Sequence, residues 1–273
     1  MPDKLLTLGA ALRVEELPEY CDWLIAGARD LEIQDTARAE VLDGDHRVVV
    51  QQIRQTLNDY TGRLGVHGPF SSLTLLAHDP AIAEVVQRRF RQALAIVQEI
   101  GATHMVIHSP FQYMGSPFLP HSPAHGQADQ FELIHRVLDD IVPIAEAANC
   151  TLVIEDILDT NSGPLLALIR SFNSEYVRLS IDTGHAYIAH LRGGPTPDQW
   201  VRDGGELLAH LHLQDTDGQV DRHWTPGAGH INWHALFEAL YSLEQEPRMI
   251  IEIRDKTAIG RAAEWFAAQG YAK

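Results

Sequence analysis

Six residues able to bind a divalent cation each close an apolar run of this chain. They are His67 in RLGVHGPF, His108 in HMVIHSPF, Glu155 in TLVIEDI, Asp182 in VRLSIDTGH, His212 in LAHLHLQD and Glu252 in RMIIEIRD. A single His at such a place is ordinarily a polar cap on a core. Six cases among eight strand-like runs are hard to explain by packing. Imidazole and carboxylate together are the mixed donor set of zinc, manganese and cobalt enzymes. Glu155, Asp182, His212 and Glu252, from runs five to eight, form a three-carboxylate, one-imidazole set. That set suits Mn²⁺, Co²⁺ or Mg²⁺ better than structural zinc. His67 and His108 fall beside it, and Glu155 is placed to bridge two ions. A further set follows: His185 comes three residues after Asp182 in DTGH, and Asp221 and His223 lie two apart in DRH. PGAG (226–229) then turns the backbone tightly.

These residues need a scaffold that brings strand ends to one place. Eight strand-like runs (5–12, 30–35, 63–70, 104–111, 151–157, 177–185, 208–215 and 248–255) alternate with helical patterns. The helical stretches fall near 15–27, 45–61, 80–100, 127–148, 162–173, 197–207, 232–244 and 257–269. In 80–100, Ile82, Val85, Val86, Phe90, Leu94 and Val97 recur at helical spacing. Asp79-Pro80 and Asn232 read as helix starts. Eight βα units in order predict an α/β chain folded as one (β/α)8 TIM barrel over 1–273, with reactive residues at the C-terminal ends of the strands. The connections 112–126, 187–197 and 216–231 are the long ones and would shape the mouth. Phe70, Phe111, Tyr113, Phe118, Tyr187 and Trp224 are candidates to wall it. His78, His121, His125, His190, His210, His230 and His234 read as surface or supporting groups.

The chain has 273 residues and a formal charge of −16, with no Lys/Arg-rich run. This argues against nucleic acid or an anionic membrane as partner. Cys21 and Cys150 have no CxxC spacing, so neither a disulfide framework nor a cysteine zinc site is expected. LLTLGAAL near the start is soon broken by Arg13 and Glu15, and no run reaches membrane-spanning length. The expectation is a cytoplasmic metalloenzyme. Homo-oligomerisation stays open.

HGPF at 67, His108, IED at 155, DTGH at 182–185, HLQD at 212–215, DRH at 221–223, PGAG at 226–229 and IIEI ending near Glu252 resemble the xylose isomerase-like barrel superfamily. The resemblance spans nearly the whole chain and implies two alternatives. The first is a divalent-metal isomerase or epimerase of a small sugar, polyol or hydroxy-carbonyl compound. One Mn²⁺-type ion would then sit on Glu155, Asp182, His212 and Glu252. Glu155 and Glu252 would exchange protons at carbon through an enediolate, and His185 and Arg222 would orient sugar oxygens. The second is an endonuclease IV-like hydrolase of phosphoesters or abasic DNA with three zinc ions. These would be held by His67, His108 and Glu155; by Glu155, Asp182, His212 and Glu252; and by His185, Asp221 and His223. Two departures separate the chain from these patterns. Gly184 stands where the endonuclease has cysteine, and Gly218 stands where the epimerases carry arginine.

Overall fold

The computed structural model describes residues 5–111 and 127–273. Its centre is a closed barrel of eight parallel strands in sequence order. They are β1 (Leu8–Leu12), β2 (Leu31–Ile33), β3 (Leu64–His67), β4 (His104–His108), β5 (Thr151–Glu155), β6 (Val177–Asp182), β7 (Leu208–Leu213) and β8 (Arg248–Ile251). β1 closes the ring on β8 through the register Leu8↔Met249 to Ala10↔Ile251. The strands are short, apolar and rich in Leu, Ile and Val because parallel strands under a layer of helices are buried on both faces. Leu31, Ile33, Val66, Leu152, Ile154, Leu179, Leu211 and Ile251 are fully shielded from solvent. Each such side chain contributes about 1.5–3 kcal/mol relative to its exposed state.

The helix starts carry the signals expected of them. Asp79 caps Pro80–Ile100 by accepting the Ala81 N–H, and Gly101 ends that helix in the left-handed region at φ +70°. Asn232 caps Trp233–Tyr241 by accepting the Ala235 N–H. Two readings need correction. The helical stretch at 127–148 is two helices, Gln127–Leu138 and Val142–Ala147. Pro143 lacks the N–H that a continuous helix would need, so it starts a second helix instead. The connection 187–197 is not an open loop at its start. DTGH leads directly into the helix Thr183–His190, and Asp182 is its N-cap.

Strand register places the chemistry. His108 pairs beside Glu155 across β4 and β5. Between β6 and β7 a register shift at Leu179/Ser180 aligns Ser180 with His210 and Asp182 with His212. Successive strand residues face opposite sides, so Ser180/Asp182 and His210/His212 make two stacked inward layers. Among the described residues no helix is long and apolar enough to cross a membrane.

Candidate metal centre

The C-terminal ends of the strands, the start of the helix Thr183–His190 and the loop after β7 bring the three sequence-predicted clusters together. His67, His108 and Glu155 offer ligand atoms within 4.8 Å of one another. So do Glu155, Asp182, His212 and Glu252, and so do His185, Asp221 and His223. Glu155 joins the first two sets through different oxygens. Its Oε1 lies 2.8 Å from His212 Nδ1. Its Oε2 faces His108 Nε2 at 3.5 Å and His67 Nε2 at 3.9 Å. Glu252 Oε2 reaches the same His212 Nδ1 at 3.4 Å.

The imidazoles are oriented by their second nitrogens. His67 Nδ1 lies 2.9 Å from the Gly68 carbonyl, His185 Nδ1 3.0 Å from that of Asp156, and His223 Nδ1 3.0 Å from that of Glu252. A carbonyl only accepts, so each Nδ1 is an N–H and each Nε2 is the nitrogen turned toward the mouth. His212 is reversed. Its Nε2 lies 3.1 Å from both oxygens of Glu32, which turns Nδ1 toward Glu155 and Glu252. Imidazoles in metal sites are held in this manner by carbonyls and carboxylates.

The electrostatics fit a divalent cation. Glu155 Oε2 and Asp182 Oδ2 are buried with no hydrogen-bond partner among the described residues. Burial opposes a charge on His212, but Glu252, Glu32 and Glu155 outweigh it and hold its pKa well above the usual imidazole value. Burial likewise opposes His185, and Asp182, Asp221 and Glu155 raise it. His223 is pushed up to about 9 against its burial by Asp221, Glu252 and Asp182. Burial raises Asp182 to about 6. His108, by contrast, is lowered by burial to about 3, and so is neutral. Protons thus sit where the carboxylates demand positive charge, and a divalent ion would displace them. Orphaned oxygens, directed imidazole nitrogens and a mixed carboxylate–imidazole set all suit a divalent metal.

Arg222 is placed elsewhere. It pairs with Asp217 at 2.9 Å and lies over Trp224 at 5.4 Å. It lines a separate cavity that meets the mouth at His223. The mouth itself is a cavity of about 530 Å³, lined by Arg13, Gln34, Arg38, Phe70 and all the cluster residues but Asp182 and His212, which lie buried beneath it. Of the aromatic candidates, Phe70 stacks on His108 with ring centroids 4.4 Å apart. Phe111 instead packs in the core. Tyr113, Phe118 and the connection 112–126 lie outside the described residues.

Several supporting residues escape the sequence reading. Glu32 is buried below the centre and contacts both His212 and His210. Its signal was a charge inside an apolar run on a strand buried on both faces. Gln34 donates to Glu252 Oε1 at 2.7 Å, and Lys256 donates to Gln34 in turn. Asp156, next to Glu155, accepts the Asp182 N–H at 2.7 Å. His210, read as a surface or supporting group, is buried and supporting. It completes a line from Glu32 to Ser180 Oγ, 2.8 Å from its Nδ1. The departure at Gly184 also has a reason. A Cβ there would lie 2.4 Å from Gln214 Cδ, so a cysteine does not fit over that side chain.

A closed ring of eight parallel strands with acid and imidazole side chains gathered at one mouth defines the chain as a (β/α)8 barrel, and comparison with known proteins agrees. Residues 26–269 match the model of the xylose isomerase-like TIM barrel, and the chain belongs to that family. An uncharacterised protein of Methanocaldococcus jannaschii, MJ1311, is 23% identical over 228 residues, covering 79% of this chain and 74% of its own. Among solved structures, the TTHB071 protein of Thermus thermophilus, soaked with ZnCl2, is 24% identical over 97% of this chain and 99% of that one, with a TM-score of 0.71. A D-tagatose 3-epimerase-like protein is 19% identical over 96% of each chain, with a TM-score of 0.75. The E. coli 3-keto-D-glucoside 4-epimerase YcjR is 15% identical over 96% of this chain and 99% of that one, with a TM-score of 0.73.

Proposed function

We propose that the chain is a divalent-metal-dependent isomerase or epimerase of a small sugar, polyol or hydroxy-carbonyl compound. The observation that carries this reading is the pair of glutamates, Glu155 and Glu252, turned onto one imidazole at the floor of a mouth sized for a small molecule. Mn²⁺, Zn²⁺ or Co²⁺ on Glu155, Asp182, His212 and Glu252 would polarise a carbonyl and acidify the neighbouring C–H. Glu155 and Glu252 then act as base and acid at carbon. Gln34, donating to Glu252 Oε1, keeps that carboxylate turned toward the centre. His108 and His185 present polar edges to substrate oxygens, and Phe70 covers the apolar side. Arg222 reaches only a substrate that extends past His223. The solved epimerases of this fold support the substrate class.

The test is incorporation of solvent deuterium into a panel of keto sugars by metal-loaded protein. Wild type should exchange the carbon-bound proton. Glu155→Gln and Glu252→Gln should each lose about 10²–10⁴-fold, the range for a positioned acid–base group. Absence of exchange with every sugar would remove the isomerase reading.

A second reading has its own observation. The flanking sets His67/His108/Glu155 and His185/Asp221/His223 complete a site with room for three ions. That favours an endonuclease IV-like hydrolase of phosphoesters or abasic DNA. The charge of −16 argues against a DNA substrate. Chelator-sensitive phosphoester cleavage without sugar exchange would establish this second reading in place of the first.

A further inference from the structure

Gln214 follows His212 by two residues, is fully buried, and is neither charged nor of a ligand type. Its side chain nonetheless touches both the central cluster and the outer cluster of His185, Asp221 and His223. The amide nitrogen donates to Asp182 Oδ1 at 3.1 Å and to Asp221 Oδ1 at 2.6 Å. An amide NH2 has two hydrogens, so both are used. The amide oxygen accepts the His223 N–H at 2.8 Å. The backbone of Gln214 is clamped as well, since its N–H donates to Thr183 Oγ1 at 3.0 Å and its carbonyl accepts from that hydroxyl at 2.7 Å. No part of this side chain is free to turn. A Cβ at Gly184 would stand 2.4–2.6 Å from the three terminal atoms of the amide, so the helix start is shaped around it.

We propose that Gln214 is a positioning residue that couples the central metal cluster to the outer one. The proposal rests on the reading that the central cluster holds a divalent ion, and adds a second ion at His185, Asp221 and His223. By taking one oxygen of each aspartate, the amide turns the other oxygen of each toward an ion. Asp182 Oδ2 is one of the two orphaned atoms of the central set, with Glu155 Oε2. Asp221 Oδ2 lies 2.9 Å from His223 Nε2 and 3.6 Å from His185 Nε2, among the outer donors. An ion that fixes the Asp182 carboxylate therefore also fixes the amide, and through it Asp221 and the backbone at His223. Filling the central cluster raises the affinity of the outer one, and by linkage the reverse holds equally. Couplings of this kind are typically about 5–150-fold in affinity.

The experiment is a cobalt titration of metal-free, full-length protein, read by visible absorption and by bound cobalt at equilibrium. Wild type should fill in two stages, with protection of the His223 amide from hydrogen exchange rising as the first ion binds. Gln214→Met keeps the size but removes both donors and the acceptor. It should retain the central ion, weaken the outer one by about 10–100-fold, the usual cost of losing an outer-shell partner, and alter the spectrum of the second stage. Gly184→Ala, which displaces the same amide, should do likewise. Wild-type affinities and spectrum in a folded Gln214→Met protein would overturn the proposal. So would His223 protection in wild type that the first ion leaves unchanged, a result that needs no variant to fold. If wild type binds no cobalt at all, the metal reading itself fails and the coupling with it.

Discussion

A buried carboxylate with one oxygen held and the other bare is the recurring unit of this mouth. Asp182 gives Oδ1 to the His185 N–H and to Gln214, and Glu155 gives Oε1 to His212. Among the described residues each second oxygen is left without a partner, an arrangement that costs free energy unless a cation completes it. Glu32 tests the other half of the design, the aiming of the imidazole. Burial opposes its ionisation, but His212 and His210 outweigh this and keep its pKa well below the usual carboxylate range. Glu32→Gln should therefore weaken metal binding by about 10–100-fold in chelator competition while leaving the nine candidate ligands intact. Unchanged affinity would mean that His212 is oriented without it. The candidate ligands were legible because each is a titratable residue at the end of an apolar run or in a short loop motif beside one. Glu32 was hidden because it sits in the middle of a three-residue strand. Gln214 was hidden because a neutral amide carries no chemical signature until its neighbours are known.

At the scale of elements, the segment from β7 to the helix Trp233–Tyr241 is anchored at its ends by Asp215. Asp215 Oδ1 accepts the Thr216 and Ile231 N–H groups, and Oδ2 accepts the Gly227 N–H and Trp233 Nε1–H. A two-way backbone bridge to Trp224 adds to this. The loop that presents Asp221 and His223 is thus tied at both ends to the aspartate of HLQD. Gly229 packs directly against it, since a Cβ there would lie 2.3 Å from Asp215 Oδ1 and 2.4 Å from the Thr216 carbonyl. Gly229→Ala should destabilise the protein by about 1–3 kcal/mol, as overpacking does. A denaturation midpoint equal to wild type would show that the loop yields freely. PGAG was legible as a turn, but its anchor was not, because Asp215 and Gly227 meet only in three dimensions. The opposite held at 127–148, where Pro143 marked the helix break in the sequence and the surrounding apolar periodicity masked it.

At the scale of the whole molecule, the order of eight βα units was readable throughout. Six strand ends of eight carrying ligand types make sense in a closed parallel ring, which brings them to one mouth. What the sequence could not show is how polar the ring is below the mouth. At its floor, burial and the nearby Arg248 guanidinium lower His104 to about 2. The usual value for an unfolded histidine is about 6.5. Folded protein therefore binds fewer protons than unfolded protein between these values. Stability is fully present above the unfolded value and is lost as pH falls below it. Metal-free protein should lose Tm between pH 7 and pH 5, and His104→Asn should lose less over the same interval. An equal loss in both would assign the acid sensitivity elsewhere.

The claim on which the account stands is that the strand ends of this barrel form a metal centre. Metal content per chain, measured by elemental analysis of untagged protein before and after mutation of Glu155 to Gln, tests it most directly. The account predicts at least about one zinc, manganese or cobalt ion per chain, lost or strongly reduced in the variant, since ligands in a closed site bind only as a set. About three ions per chain would move the chemistry to the hydrolase reading. Protein with no stoichiometric metal, even after incubation with all three ions, would contradict the account.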